Sequence, residues 1–477
     1  MAHRPARAVA AVFVALGLSG CILTTDISDP ALQVPAAYKQ AGRGGADAAT
    51  PAIDWWRGFK SRELTSLMEE AQTVNLDIAA ATARIVQADA QARITGAALL
   101  PTLNFGSSAS RSKSSGSSAN GLTNSGREIT NYSSSLSASY EIDFWGKNRD
   151  AALAASESAT AVRFDRAVVA LPTMAPLVNA YFRALAARYR RHPASRNIAS
   201  AERILDAIKH RLSAGTGTDL DLAQQQSVVA NQRAAVPALR QTLAQNTHAL
   251  ATLVGRPPEA IRLKGGSLNG VAVPRVTPGL PSKLLIQRPD IRRQEASLAA
   301  ATANVGSARA QFFPSIQLTG QGGYQSAALA SLFTPQAAFF SLAAGLTQPI
   351  FDGQRIQGNF DLTKAQQDEL LQTYRKTVVS AFADVDNALV AIKQSSEKLR
   401  LQRDVIAASR RAFQLAEQQL NAGTADIVTV LNTQLTLFQA EDALEQAQLA
   451  RLQAVVSLYQ ALGGGWGPTQ AGTTDAL

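Results

Sequence analysis

Side chains that could carry out acid–base, nucleophilic or metal chemistry are present in this sequence, but they are not grouped. The four histidines, His3, His192, His210 and His248, lie far apart and show none of the paired spacings of metal-ligating histidines. A single cysteine excludes a cluster of thiolate ligands and an internal disulfide. The sequence has no glycine-rich phosphate loop and no pair of carboxylates whose spacing demands acid–base catalysis. It therefore predicts a protein that is not an enzyme and needs neither a cofactor nor a metal ion.

The one cysteine, Cys21, follows a segment with the form of a secretory signal. Two arginines give a basic start, residues 8–18 form an apolar run, and small residues come directly before the cysteine. This pattern resembles a bacterial lipobox, whose cysteine becomes the acylated first residue, and Ile22 resembles the next position of lipoproteins sent to the outer membrane. The alternative is an ordinary signal peptide with a chance cysteine. We predict a signal peptide over residues 1–20 and lipid attachment at Cys21.

Hydropathy limits how the chain can enter a membrane, and charge limits which partners it can bind. The apolar run of residues 8–18 is shorter than the roughly 20 residues that span a bilayer. No later stretch is predicted to be both long and apolar enough for a transmembrane helix, so entry into a membrane requires a closed barrel or a lipid. The formal net charge of +10 can indicate nucleic-acid binding, but the basic residues are scattered among acidic ones in a chain predicted to be exported. We predict solvated helix faces and no nucleic-acid partner.

The chain contains an internal repeat of the elements that would position any functional residue. Arg-Leu-Ser-Ala-Gly-Thr at 211–216 and Gln-Leu-Asn-Ala-Gly-Thr at 419–424 share a pattern at an offset of 208 residues, which Val254-Gly255 and Leu462-Gly463 keep. Four matches in the same order indicate an internal duplication, in which each half runs helix, strand, strand, long helix, turn, helix. The other two matches pair residues 98–103 with 311–316 and residues 141–146 with 348–353.

Most of each repeat has helical periodicity. Residues 148–212 and 354–420 are rich in alanine, with apolar residues at spacings of three and four, and each would form a helix of ~100 Å. A helix of that length needs a partner along its length, which the shorter helices supply. Pro172, Pro176 and Pro193 predict a bend or a break in the first long helix. The shorter helices are predicted at about 61–98, 218–254, 284–311 and 426–462.

Four short segments alternate between apolar and polar residues, which predicts strands. The alternation is strict from Leu136 to Ile142, and the other three segments contain Leu103 with Phe105, Ile316 with Leu318, and Phe340 with Leu342 and Leu346. The apolar face would meet another sheet in a soluble sandwich, or lipid in an outer-membrane barrel. Residues 107–126, mostly Ser, Gly and Asn, are predicted to form an exposed hairpin loop.

The number of strands has a consequence for assembly. Four strands cannot close a membrane barrel, because the smallest barrels have about eight. An open sheet edge in lipid would leave backbone groups unsatisfied at several kcal/mol each. If these strands are membrane strands, at least two chains must share one barrel.

The motifs identify a family resemblance that covers nearly all of the mature chain. The sequence resembles the outer membrane factors of tripartite efflux pumps, the TolC/OprM-like proteins, and most of all their lipoprotein (NodT-type) branch. No single motif is specific for this family, but the motifs are specific when they occur together in this order. The motifs are Trp55-Trp56-x-x-Phe59, 75–84, 278–282, Arg288-Pro-Asp-Ile-Arg292, 312–316 and Gly345-Leu-Thr-Gln-Pro-Ile-Phe351.

The resemblance implies a mainly α-helical fold with a membrane β part. Three chains would form a long antiparallel α-helical barrel in the periplasm, and their four strands each would form a 12-stranded barrel in the outer membrane. It implies a passive exit duct for small molecules such as drugs, anchored in outer-membrane lipid. Its partners would be a periplasmic adaptor and an inner-membrane transporter, of RND type. The Arg288-Pro-Asp290 motif has a structural interpretation, the start of a helix.

The resemblance also places candidate site residues. The turns at Gly215 and Thr216 and at Gly423 and Thr424 would form the periplasmic tip that meets the adaptor, and each glycine suits a left-handed helix cap. The closing residues of the pore would follow each turn. Asp221 falls where the first repeat often has a gating carboxylate, with a solvated residue of a helix first turn as the alternative. Val428 would form an apolar ring, and Thr429 and Asn432 fall where aspartate is common.

The predicted domains follow the duplication. A lipid-anchored equatorial segment (21–60) precedes the first repeat (61–260), and a linker (261–283) leads to the second repeat (284–462) and a C-terminal tail (463–477). Two alternatives remain open: a conduit for type I protein secretion, and a non-channel periplasmic coiled-coil lipoprotein. The sequence alone does not identify the substrates, the partner pair or the resting state of the channel.

Overall fold

A computed structural model describes residues 30–39, 52–113 and 128–464. The predicted signal peptide, Cys21 and residues 465–477 lie outside this part of the chain. Within it, helices and strands follow in the predicted duplicated order, which confirms a mainly helical fold with four antiparallel strands. The elements are α1 (Arg62–Val74), α2 (Leu76–Gly96), β1 (Thr102–Lys113), β2 (Glu128–Ile142), α3 (Lys147–Ser213), α4 (Asp219–Val254), α5 (Pro281–Gln287), α6 (Pro289–Ala310), β3 (Ser315–Ser326), β4 (Ala338–Thr347), α7 (Arg355–Asn421) and α8 (Ile427–Ala461).

The two long helices, α3 and α7, have 67 residues each and match their predicted bounds to within one residue. The predicted helices at 61–98 and 284–311 are wrong as single elements, since each is two helices. The first is divided at Asn75, whose Oδ1 accepts from the backbone N–H of Asp77 and Ile78 and so caps α2. The second is divided at Arg288, because Pro289 begins α6 and disfavours a helical conformation at the residue before it.

The residues that separate the helices, Asn75 and Arg288, make equivalent hydrogen bonds in the two repeats. Asn75 Nδ2 donates to the carbonyl of Leu253 at 2.6 Å, and an Arg288 guanidinium nitrogen donates to the carbonyl of Ala461 at 3.2 Å. Leu253 and Ala461 differ by 208 positions, the offset of the repeat. In each repeat, the residue between the first two helices is therefore tied to the end of the last helix.

The predicted break in the first long helix does not occur. Helix α3 continues through Pro172, Pro176 and Pro193, although a proline inside a helix costs about 3 kcal/mol. Burial along the same stretch opposes this cost, because Leu177, Val178, Phe182 and Leu185 are at most 1% exposed and each such side chain contributes about 1.5–3 kcal/mol. Tertiary packing outweighs the local preference of the prolines here.

Helix α3 also corrects the prediction that no later stretch is apolar enough to cross a membrane. An 18-residue window within it has a mean hydropathy of 1.3 with at most two charged residues, which meets that test by length and composition. However, 62% of the window is buried within the chain. Core helices of proteins without membrane spans share this property, so the window is weak grounds for a transmembrane helix.

The chain contains two units, which we call the strand unit (residues 86–161 and 294–374) and the helix unit (residues 31–85, 162–293 and 375–464). The strand unit contains all four strands, paired antiparallel in the order β1-β2-β3-β4. The predicted loop at 107–126 is wrong in its first part, because residues 107–113 pair with β2 in continuous register. The rest of the predicted loop, residues 114–126, lies outside the described residues.

The helix unit contains a large apolar core around the Trp-Trp-x-x-Phe motif. Phe59 has no exposed surface, and its ring lies edge-on to Phe182 of α3, with centroids 5.1 Å apart. Trp55 stacks on Tyr459 of α8 at 4.8 Å. Aromatic pairs add about 0.5–1.5 kcal/mol beyond the area that they bury. The motif thus joins the segment before α1 to helices of both repeats.

Candidate channel site

The sheet of the strand unit has one apolar face. Residues directly opposite each other on paired strands share a face, and the register places Phe105, Leu136, Gly322 and Phe340 in one row across all four strands. The row below it contains Leu342 of β4. Phe105 and Phe340 are 74% and 83% exposed, far more than a buried strand face would allow. The predicted alternation therefore forms an apolar surface that the other described residues leave uncovered.

The opposite face is polar. Thr102 and Ser139 share a hydroxyl hydrogen bond of 2.7 Å on this face, and Gln321 Nε2 donates to Ser135 Oγ at 3.0 Å. Ser341 of β4 lies opposite Gln321. An apolar face and a polar face on one sheet are typical of an outer-membrane barrel, where lipid meets the first and water the second.

Two strands of the sheet have a free edge. In the described residues, β1 pairs only with β2, and β4 pairs only with β3. Each outer strand therefore presents a row of backbone N–H and C=O groups without a ladder partner, over 12 residues in β1 and 10 in β4. Such edges bind a further strand, and in lipid they must do so.

The helix unit contains the two predicted tip turns, and their hydrogen bonds are the same. The N–H of Thr216 donates to the carbonyl of Arg211 at 2.9 Å, and Gly215 has a φ of 72°. At the second turn, the N–H of Thr424 donates to the carbonyl of Gln419 at 2.9 Å. Both are Schellman caps, in which only glycine adopts the left-handed conformation without strain.

The helices that follow the turns begin with caps that mirror each other. In α4, Thr218 and Asp221 form a reciprocal capping box, with bonds of 3.1 and 3.2 Å. In α8, Asp426 takes the position of Thr218, and its Oδ1 accepts from the N–H and the hydroxyl of Thr429 at 2.8 and 2.6 Å. The predicted site residues Asp221 and Thr429 thus both take part in helix caps.

Sequence reasoning missed Asp426. It is fully exposed, and the hydrogen bonds from the Thr429 hydroxyl and backbone hold the pKa of its carboxyl below its usual range. The sequence contained a signal for this residue. At the repeat offset, Asp426 and Thr429 occupy the positions of Thr218 and Asp221, with the two residue types exchanged. A carboxylate therefore follows each of the two turns, Asp221 in the first turn of α4 and Asp426 at the N-cap of α8.

A shared core holds the tip ends of the four helices. Val430 of α8 has no exposed surface and packs with Ile208 of α3 and Phe413 of α7, and Leu222 of α4 packs against the same cluster. The predicted residues on α8 point away from this core: Val428 is 42% exposed, and Thr429 and Asn432 are also exposed. Asp221 is half-buried. The candidate residues are thus available to line a space outside the single chain.

Comparison with known proteins identifies the family. The model of the family "Outer membrane efflux protein" matches residues 67–256 and 280–464. The chain belongs to this family. It is 40% identical over 452 residues to the pyoverdine export outer membrane protein OpmQ of Pseudomonas aeruginosa, covering 94% of this chain and 95% of that protein. It is 30% identical to the cation efflux system protein CusC of Escherichia coli K12, covering 95% of this chain and 98% of that protein.

Solved structures agree with this membership. The outer-membrane channel OprN superposes with a TM-score of 0.87 at 27% sequence identity, covering 93% of this chain and 99% of that one. Outer membrane efflux channels form homotrimers that work with adaptor proteins and inner-membrane transporters. The chain is therefore a subunit of an outer-membrane efflux channel with a periplasmic extension, and it serves as the exit duct of a tripartite efflux system. This excludes the alternative of a non-channel coiled-coil lipoprotein.

Proposed function

We propose that this efflux channel is a homotrimeric passive duct for small molecules, including drugs and toxic compounds. The observation that carries the proposal is the sheet, which has an exposed apolar face and two free edges. Three copies of a four-stranded sheet supply 12 strands, and edge-to-edge pairing around a closed ring would leave no backbone group facing lipid unsatisfied. The similarity to a pyoverdine export protein and to a cation efflux protein supports small-molecule cargo.

The partners and the anchor complete the proposal. A periplasmic adaptor would contact the tip turns at Gly215 with Thr216 and at Gly423 with Thr424, and an RND-type inner-membrane transporter would supply the energy. Cys21 would be the lipid-modified first residue and would hold the segment before α1 to the outer membrane. The position of Cys21 after a short apolar run, directly behind small residues, supports this proposal.

Deletion of the gene tests the type of cargo. We expect the deletion strain to become several-fold more sensitive to multiple unrelated small compounds, and a plasmid copy of the gene to restore resistance. Minimum inhibitory concentrations across a compound panel are the measurement, together with the profile of secreted proteins. Unchanged sensitivity together with the loss of one secreted protein would reject small-molecule efflux in favour of type I secretion.

We further propose that Asp221, Val428, Thr429 and Asn432 line the resting constriction of the channel. The exposure of the three α8 residues and the start of α4 and α8 directly after the tip turns support this proposal. Carboxylates repeated by threefold symmetry would favour cations, and their removal would weaken both repulsion and hydrogen bonding in the ring.

Planar-bilayer conductance tests the constriction. We expect Asp221→Ala and Asn432→Ala to raise the single-channel conductance, because each removes polar atoms from the narrowest part, and Asp221→Ala also to reduce cation selectivity. Thr218→Ala is the matched control, since it removes the same helix cap, worth about 1 kcal/mol, and retains the carboxylate. If conductance is unchanged in both variants, or if Thr218→Ala reproduces the effect of Asp221→Ala, these residues do not form the constriction.

A further inference from the structure

A cavity that is open to solvent on one side lies between helices α3, α4 and α8 of the helix unit. Its volume is about 540 Å³, and it is lined by residues of α3, α4 and α8. Cavities that bind organic ligands have volumes of roughly 300–1,000 Å³ and mostly apolar walls with a few polar groups. This cavity has that composition, since Leu239 of α4 and Leu435 and Phe438 of α8 form part of its wall beside amide and carboxylate side chains.

One polar group in the cavity has no partner. Glu445 of α8 is only 7% exposed, and its Oε2 has no hydrogen-bond partner among the described residues. A buried carboxylate that lacks a partner costs several kcal/mol. Such a group in a native structure calls for an explanation by a ligand, an ion, a water molecule or a proton.

The surrounding charges do not neutralise Glu445. Two more carboxylates of α8 line the cavity, and each already has an arginine partner. Asp442 accepts from Arg190 Nε of α3 at 2.7 Å, and Glu441 accepts from Arg410 of α7 at 3.3 Å. The residues that α4 contributes to the cavity wall are all uncharged. Arg190 is thus the one arginine among the residues lining the cavity, beside three carboxylates, and the arginine partner of Glu441 lies outside it; Glu445 is left without a cationic partner.

The state of Glu445 follows from this imbalance. Burial, opposed by Arg190 and reinforced by Asp442 and Glu441, raises the pKa of the Glu445 carboxyl to about 7. A proton therefore neutralises most copies of this carboxyl at mildly acidic pH. A ligand cation would take the place of that proton, and it would do so more readily as the pH rises.

A metal ion fits the site poorly. Within the described ranges, no group of three or more His, Cys, Asp or Glu side chains is placed to hold a metal ion. A divalent cation requires several oxygen ligands at short range. A large organic cation with a diffuse charge needs only one carboxylate and apolar walls, and the cavity offers both.

We propose that this cavity binds a lipophilic organic monocation, with its positive charge beside Glu445 and its apolar groups against Phe438 and the leucines. The proposal is independent of the proposed cargo and constriction, because binding is measured on purified protein without transport. Phe438 can add a cation–π contribution where the charge lies over its ring.

Titration calorimetry with tetraphenylphosphonium chloride tests the proposal on the purified full-length protein in detergent at pH 8. We expect saturable binding, and Glu445→Gln to weaken it at least tenfold. Between pH 6 and pH 8 the affinity of the unmodified protein should rise about tenfold, following ionisation of a carboxyl with a pKa near 7, whereas that of Glu445→Gln should stay flat. Triphenylphosphine oxide, a neutral analogue, should bind far more weakly.

Two further variants separate the charge from the fold. Glu417→Gln removes a half-buried carboxylate of α7 outside the cavity and should leave the affinity unchanged. Ala238 of α4 lies at the exposed edge of the cavity, so Ala238→Trp places a large uncharged side chain across its open side and should strongly weaken binding. Equal affinity of the unmodified protein and Glu445→Gln, equal binding of the neutral analogue, or the absence of saturable binding to the unmodified protein would each overturn the proposal.

Discussion

Replacement of Leu342 with arginine is expected to abolish the assembled channel in the outer membrane. Leu342 is 80% exposed on the apolar face of β4, where it lies over Gly320 of β3. An arginine on the lipid-facing side of a barrel costs about 2–4 kcal/mol near the bilayer midplane, and a trimer repeats this cost three times. The amount of protein in the outer-membrane fraction, and its heat-modifiable migration on a gel, are the measurements.

Ser341→Arg is the matched control for Leu342→Arg. It places the same side chain one residue away, on the polar face of the same strand. We expect this variant to assemble normally, because the arginine would face water. If both variants assemble equally well, or if Ser341→Arg is the more damaging, the apolar face does not meet lipid.

Replacement of Gly255 or Gly463 with alanine is expected to destabilise the helix unit by about 2–4 kcal/mol each. Both glycines have a positive φ, 73° and 74°, which costs an alanine about 1–2 kcal/mol. A Cβ atom would also lie 2.7 Å from the carbonyl oxygen of Val74 at Gly255, and 2.6 Å from that of Gln287 at Gly463. The backbone must therefore shift next to the hydrogen bonds that tie each repeat together.

Gly358→Ala provides the control for these two glycines. Gly358 lies in the first turn of α7, and a Cβ atom there would meet nothing within 4 Å. Alanine should stabilise this helix by roughly 0.5–1 kcal/mol. The midpoint of thermal unfolding, followed by circular dichroism, is the measurement for all three variants. A midpoint for Gly255→Ala or Gly463→Ala at or above that of the unmodified protein would contradict the proposed close packing.

Regular periodicity made most of the fold predictable from sequence. The ends of α3, α4, α7 and α8 fall within one residue of prediction, because the Ala-Gly-Thr turns and the final Gly255 and Gly463 are strong helix stops. The apolar alternation from Leu136 to Ile142 located β2, and the strand count led directly to the inference of shared barrels.

Features decided by single side chains or by tertiary packing escaped prediction. The division at Asn75 depends on one side chain that both caps α2 and reaches Leu253, which lies 178 residues away. The continuity of α3 through three prolines depends on burial against distant residues. The extension of β1 through residues 107–113 depends on pairing with β2, since its serine-rich sequence has the composition of a loop.

The candidate site was predictable in its turns and less so in its chemistry. The sequence located Gly215 and Gly423, because a left-handed cap requires a specific residue. It did not indicate that Asp221 would pair with Thr218, nor that Asp426 would supply the exposed carboxylate of the second repeat. The family resemblance indicates a role for each position separately, whereas each of these caps is formed by two residues three positions apart.

The mass of the purified protein in detergent tests the central claim most directly, since the claim is that several chains pool their strands. Light scattering coupled to size-exclusion chromatography, corrected for bound detergent, measures that mass. We expect three copies per particle, with dissociation only on strong heating. A stable particle containing one chain would show that the two free edges of the sheet need no partner, and it would contradict the account of a shared barrel.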